Sequence, residues 1–325
     1  MESLPMGVNG YQEVGYNGKN YQIPIFDTET PIMLRAYGLE PWEMPDQRHP
    51  ILRLLNKPFD IEQFKIPRRP ISLGRLAADY LPMFTRPNAP RVLDMPIKFP
   101  DNELYKIPRA LGQFASAIAT IINFERAINP QVGDYFAYLT IDQSVVQPHT
   151  LQREAPCHVD GFQGARWQPK VRGNHAYTVS DVLPTAYYPQ LFNFDELDEA
   201  KHDFFWEMNA QVADTKEAYK WQPAEAEITM MDCYSVHRGV QADKLTQRTW
   251  LRLSYEERTR VFDRLGNAHN PLFEYDWKMV ERDIEQLGLI AYRADADPSL
   301  NVFPWQNIDG TPLPKGALKT KPRLN

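Results

Sequence analysis

The chain reads as mainly β with added helices, a β-sandwich or jelly-roll core in one elaborated domain. Three observations predict this. Short β-like runs crowd the middle of the chain, at 135–146, 176–182, 227–231 and 249–255. Proline is abundant, 28 of 325 residues, which suits many turns and short strands better than a helical bundle. The longest helical periodicity lies to one side of the β-rich region, so that helices dress a sheet instead of alternating with strands.

Taken in order, residues 1–134 form an N-terminal cover. Its first hundred residues are irregular, rich in segments such as "EPWEMPDQRHP" and "KIPRRPISL", with only short helical possibilities. An amphipathic helix is predicted at about 103–128, where Ile107, Leu111, Phe114, Ile118 and Ile121 recur at spacings of four and three, giving one face to pack on a sheet. Residues 135–260 hold the β core, interrupted by the acidic stretch "NFDELDEAKHDFF", expected as a helix or a surface excursion. Residues 261–325 are a tail with a helix at 276–287, signalled by Trp277, Val280, Ile284 and Leu287 and closed by Gly288.

Bulk properties narrow the function. A net charge of −6 argues against a nucleic-acid or anionic-membrane surface. No apolar run approaches a membrane span, and the opening "MESLPMGVNG" lacks a secretory pattern. Cys157 and Cys233 are the only cysteines, too few for a disulfide framework, and both are expected as buried thiols. A cytoplasmic protein acting on a small molecule, with no nucleic-acid or membrane partner, is the expectation. An oligomer is open.

The chemistry is concentrated in "CHVDGF" (157–162). On an extended strand His158 and Asp160 leave the same face, so an imidazole and a carboxylate converge. They pair with each other, meet water, or share a metal ion. His237 lies in "ITMMDCYSVHRGV", between an apolar run and a glycine turn, where a strand would deliver it to the mouth of a barrel. Two histidines and one carboxylate with open positions match the facial triad of ferrous oxygenases.

Eleven residues on, "RTWLRLSY" places Arg248, Trp250, Arg252 and Ser254 on one face of a strand, and Thr249, Leu251, Leu253 and Tyr255 on the other. Alternation alone does not choose between two placements. Either the arginines face solvent above a leucine core, or they point into the barrel, where each needs an anion. A dicarboxylic cosubstrate would supply one, held bidentately.

With His158-x-Asp160, the distal His237 and Arg248 in view, the chain resembles the Fe(II)/2-oxoglutarate-dependent dioxygenases. The R-x-x-x-R strand, Arg248 to Arg252, is similar to the taurine-dioxygenase-like branch, and "PCHVDG" to the phytanoyl-CoA-hydroxylase-like members. The likeness covers about 135–260. It implies a double-stranded β-helix core binding Fe(II) through His158, Asp160 and His237, with 2-oxoglutarate and O2 as cosubstrates. It implies Arg248 on the distal carboxylate of 2-oxoglutarate, and Thr185, in "SDVLPTAYY", beside it. Gln143 and Tyr138 are further cosubstrate candidates, and Arg252 lies by the substrate or the cosubstrate's other end. The outcome is hydroxylation, desaturation or cyclisation of a small molecule.

The segment "FQGARWQPKVRGN" (162–174) reads either as a mobile lid or as a plain surface loop. As a lid it would bring Arg166, Trp167 and Arg172 to a carboxylate- or amino-acid-like substrate. Two other readings stand beside the oxygenase: a cupin-like metal-dependent hydrolase or isomerase, and a non-catalytic jelly-roll binding protein.

Overall fold

A computed structural model describes 44–100, 104–152, 157–160, 172–195, 197, 204–213 and 219–256. It also describes residues 270, 272 and 273, and the backbone of 8–16, 19–26, 262–263 and 280–281. The strands are β1 (Val8–Tyr16), β2 (Lys19–Phe26), β3 (Ile71–Arg75), β4 (Val92–Lys98), β5 (Phe136–Val146), β6 (His175–Ser180), β7 (Ala186–Tyr187), β8 (Glu227–Asp232), β9 (His237–Arg238), β10 (Thr246–Glu256), β11 (Phe262–Asp263) and β12 (Val280–Glu281). Among the described residues four α-helices accompany them: α1 (Pro50–Leu54), α2 (Leu81–Phe84), α3 (Ala115–Ile128) and α4 (Phe204–Ala213).

The central element is a six-stranded antiparallel sheet in the order β3-β8-β6-β10-β5-β4. Its two faces follow from the period-2 alternation of its strands. Leu139 of β5, Leu253 of β10, Tyr177 of β6 and Met230 of β8 stand in register across four strands. All are buried in one apolar cluster with Ile118, Ile121 and Phe124 of α3. At about 1.5–3 kcal/mol per fully buried large apolar side chain, this row pins the register of the sheet. One residue along, Thr140, Arg252, Thr178 and Thr229 form the matching row on the opposite face. The leucine row faces α3, and the polar row faces the other way.

A second, smaller sheet lies over the polar row. β7 and β9 pair antiparallel, Tyr187 opposite His237. Single bridges extend the pair to His158 on one side and Trp221 on the other. The Tyr187 hydroxyl reaches Thr178 Oγ1 of the large sheet at 2.9 Å.

Several elements depart from the sequence reading. The first hundred residues are not simply irregular: β1 and β2 form a hairpin, and β3 and β4 are the edge strands of the main sheet. α3 begins at Ala115, not near 103; a 3-10 segment, Arg109–Phe114, precedes it. Pro108 and Gly112 weaken an α-helix there. The acidic stretch is not wholly a surface excursion, because its Phe194 and Phe204 are buried with Cys157 and Cys233. Val280 and Glu281, expected inside a helix, pair as a short strand with Phe262 and Asp263. The remainder of that helix lies outside the described residues. No helix among the described residues is long and apolar enough to cross a membrane.

Candidate metal centre

Two backbone segments, 157–160 and β9, converge on one point. His158 and His237 exchange both backbone hydrogen bonds, at 3.0 and 2.9 Å. Their rings lie 4.5 Å apart, centroid to centroid. Asp160, two residues beyond His158, turns its carboxylate to the same place. One ligand atom from each of His158, Asp160 and His237 lies within 4.8 Å of the other two.

His237 is held by the turn before it. The Asp232 carboxylate accepts from Ser235 Oγ at 2.7 Å and from the Tyr234 N–H at 3.1 Å, closing the turn 232–235. The buried guanidinium of Arg68 grips the other Asp232 oxygen at 2.8 Å. The Ser235 carbonyl then accepts from His237 Nδ1 at 2.9 Å, which fixes the tautomer and leaves Nε2 as the donor nitrogen. Burial, with His158 beside it, lowers the His237 pKa to about 4, so the imidazole is neutral as a metal ligand must be. The donor set, two imidazoles and one carboxylate, suits a borderline divalent ion such as Fe(II).

Both arginines of β10 point to this side of the sheet, and their surroundings differ. Arg252, 9% exposed, donates from Nη1 to Asp160 at 2.7 Å and from Nη2 to Asp94 at 2.8 Å. The sequence reading places it by the substrate or the cosubstrate's other end; in the structure its two Nη groups are engaged by these two carboxylates. Arg248, 7% exposed, donates to the Val182 carbonyl at 3.2 Å and to the side-chain oxygen of Gln152. Among the described residues no carboxylate forms an ion pair with it. Burial lowers its pKa to about 10, with Asp181 and Asp142 opposing only in part.

The other sequence candidates scatter. Thr185 is buried at the start of the segment that pairs with β9. Tyr138 is buried on the site-facing side of β5, stacked on Phe136. Gln143 faces away from the His158/Asp160/His237 cluster. Its amide donates to Thr249 Oγ1 at 3.0 Å and to the Arg86 carbonyl at 3.0 Å, on the helix side, because odd-numbered residues of β5 face away from the site. Arg172 donates to Asp134 and Gln131 at 2.9 and 2.7 Å. Arg166 and Trp167 lie outside the described residues. Cys157 and Cys233 are both buried and unpaired by any disulfide.

Sequence reading missed Asp94, Gln152, Tyr187 and the Arg68–Asp232 pair. A lone acid within the apolar run "VLDMPI" was the available signal for Asp94, since a carboxylate buried among such neighbours requires a partner. Tyr187 stands two residues after Thr185, with its ring 5.7 Å from that of His237.

No protein-family model and no curated protein matches the chain. Among solved structures it is similar to AviO1 from Streptomyces viridochromogenes Tue57, at 15% identity and a TM-score of 0.31, over 60% of this chain and 92% of that one. It is also similar to EvdO2 from Micromonospora carbonacea var. aurantiaca complexed with 2-oxoglutarate, at 12% identity and a TM-score of 0.35, over 67% and 94%. Likeness this slight assigns neither fold nor family.

Proposed function

We propose that the protein is a non-haem iron oxygenase built on a double-stranded β-helix, coupling oxidative decarboxylation of 2-oxoglutarate to oxidation of a C–H bond in a small molecule. The observation that carries this reading is the pairing of two incomplete features, one on the small sheet and one on the face of the main sheet beneath it. A His158/Asp160/His237 cluster has the donors for a divalent ion. Four residues from Arg252 on the same strand face, the buried Arg248 guanidinium has only neutral hydrogen-bond partners among the described residues. A buried cation of this kind is stabilised by an anion, and a dicarboxylate meets the need with one end while its 2-oxo acid end meets the metal.

In this reading His158, Asp160 and His237 hold the iron, and Arg248 binds the distal carboxylate, with Thr185 and Tyr138 near it. Bound iron supplies activation of O2, with 2-oxoglutarate giving up two electrons and leaving as succinate and carbon dioxide. The chain's own contribution is placement. The β9 and His158 segments set two imidazoles side by side, Ser235 fixes which nitrogen of His237 is offered, and the paired sheets keep water from the reacting carbon.

Anaerobic addition of Fe(II) and 2-oxoglutarate should give a weak visible metal-to-ligand charge-transfer band. Arg248→Ala should weaken 2-oxoglutarate binding roughly 100-fold, the loss of about two charge-assisted hydrogen bonds. Wild-type protein with no such band and no succinate formation under oxygen would remove the oxygenase and favour a zinc- or manganese-type hydrolase or a plain binding role.

A further inference from the structure

Asp94 lies in β4 with a backbone φ of 49°, the left-handed region that side chains other than Gly, Asn and Asp avoid. The pairing of β4 with β5 shifts register between Val92 and Met95, so Asp94 sits in a bulge. Bulges of this sort turn a side chain to a new direction. Here the bulge carries the carboxylate inward, to 3% exposure, on the site face of the sheet. Thr140 clamps it there: the Asp94 N–H donates to Thr140 Oγ1 at 3.0 Å, and the hydroxyl donates back to Asp94 Oδ1 at 3.2 Å.

What this buried acid meets is one guanidinium that also meets Asp160. Arg252 uses Nη2 for Asp94 Oδ1 and Nη1 for Asp160 Oδ2, at 2.8 and 2.7 Å. For packing alone, an apolar side chain would serve as well as a buried charge cluster. The bridge does something packing does not: it ties the orientation of the Asp160 carboxylate to a residue that Thr140 holds by two hydrogen bonds on an edge strand.

We infer that Asp94 is a positioning residue, which fixes the Arg252 guanidinium and through it sets how Asp160 faces the two imidazoles. This rests on the metal-centre reading above. It also means that Arg252 serves the metal ligand and not an anionic group of the substrate.

Co(II), a spectroscopic probe, is titrated into metal-free wild type and into Asp94→Asn, Arg252→Met and the double variant, each confirmed folded by circular dichroism. Asp94→Asn should raise the Co(II) Kd by about 10- to 100-fold and alter the visible d–d absorption. The double variant should bind no more weakly than Arg252→Met alone, because Asp94 acts through Arg252. Unchanged affinity and spectrum in folded Asp94→Asn would overturn the inference, as would strictly additive losses. If Asp94→Asn does not fold, Thr140→Val keeps the charges and removes both clamping hydrogen bonds. A several-fold loss of Co(II) affinity then supports the inference, and no loss overturns it. Wild type that binds Co(II) no better than His237→Ala would instead show that the metal-centre reading has failed.

Discussion

Arg248 and Arg252 are chemically identical, share one strand face and are both nearly inaccessible, yet they should answer substitution with opposite signs. For Arg252, burial favours the neutral form, but Asp160 and Asp94 more than reverse this and hold the guanidinium above its ordinary range. Removing that charge leaves two carboxylates, buried Asp94 and half-buried Asp160, facing the same gap. Arg252→Met should therefore cost about 3–5 kcal/mol in urea denaturation of the metal-free protein. Arg248 has desolvation as its dominant influence, and no ion pair among the described residues offsets it. In the ligand-free protein Arg248→Met should be neutral or stabilising by about 1–2 kcal/mol, while 2-oxoglutarate no longer raises the unfolding midpoint. Equal destabilisation by both changes would mean that Arg248 is already compensated and is not waiting for an anion.

At the scale of elements, what could be read from the sequence was what strict alternation dictates. β5, β6, β8 and β10 fall within a few residues of the expected runs because each has a leucine-, methionine- or tyrosine-bearing face committed to one core. β3 and β4 were hidden because edge strands tolerate what breaks the pattern: Gly74 interrupts one register and Pro96 sits within the other. The His158/Asp160/His237 cluster was legible from spacing, but the neutralisation of Arg252 was not, since its second partner comes from β4, more than 150 residues away in the chain. A similar long-range fit governs the entry to β6. A Cβ on Gly173 would stand 2.8 Å from Cys233 Sγ, within the turn that presents His237. Gly173→Ala should cost about 1–3 kcal/mol, and Cys233→Ala should recover part of it. A double-mutant cycle by chemical denaturation should show coupling of about 1 kcal/mol; purely additive losses would mean that the backbone, not the thiol, forbids the side chain.

Among the described residues the two faces of the main sheet differ in what they meet, the side of the His158/Asp160/His237 cluster on one and α3 on the other. The anchorage of α3 is partly ionic. Glu125 of α3, wholly buried, accepts from His175 Nε2 at 2.9 Å, from the Tyr177 hydroxyl at 2.6 Å and from Asn129 Nδ2 at 2.5 Å. Burial pushes its pKa up, but the His175 charge and these three hydrogen bonds outweigh it, so the carboxyl is held below its ordinary value of 4.5. The surrounding phenols of Tyr105, Tyr177 and Tyr255 are pushed up, chiefly by burial, and stay neutral through the acid range. The unfolded chain therefore binds a proton at Glu125 more readily than the folded one. The stability this carboxylate contributes is complete above about pH 4.5 and is lost as pH falls through the folded value, at about 1.4 kcal/mol for each unit by which the two pKa values differ. Glu125→Gln removes that dependence. Urea midpoints between pH 7 and pH 3 should show wild type the more stable at neutrality, with the gap to Glu125→Gln closing below about pH 4.5. A gap that stays constant to pH 3 would mean that the carboxyl is not ionised in the folded protein, and that α3 is held to the sheet by packing and neutral hydrogen bonds alone.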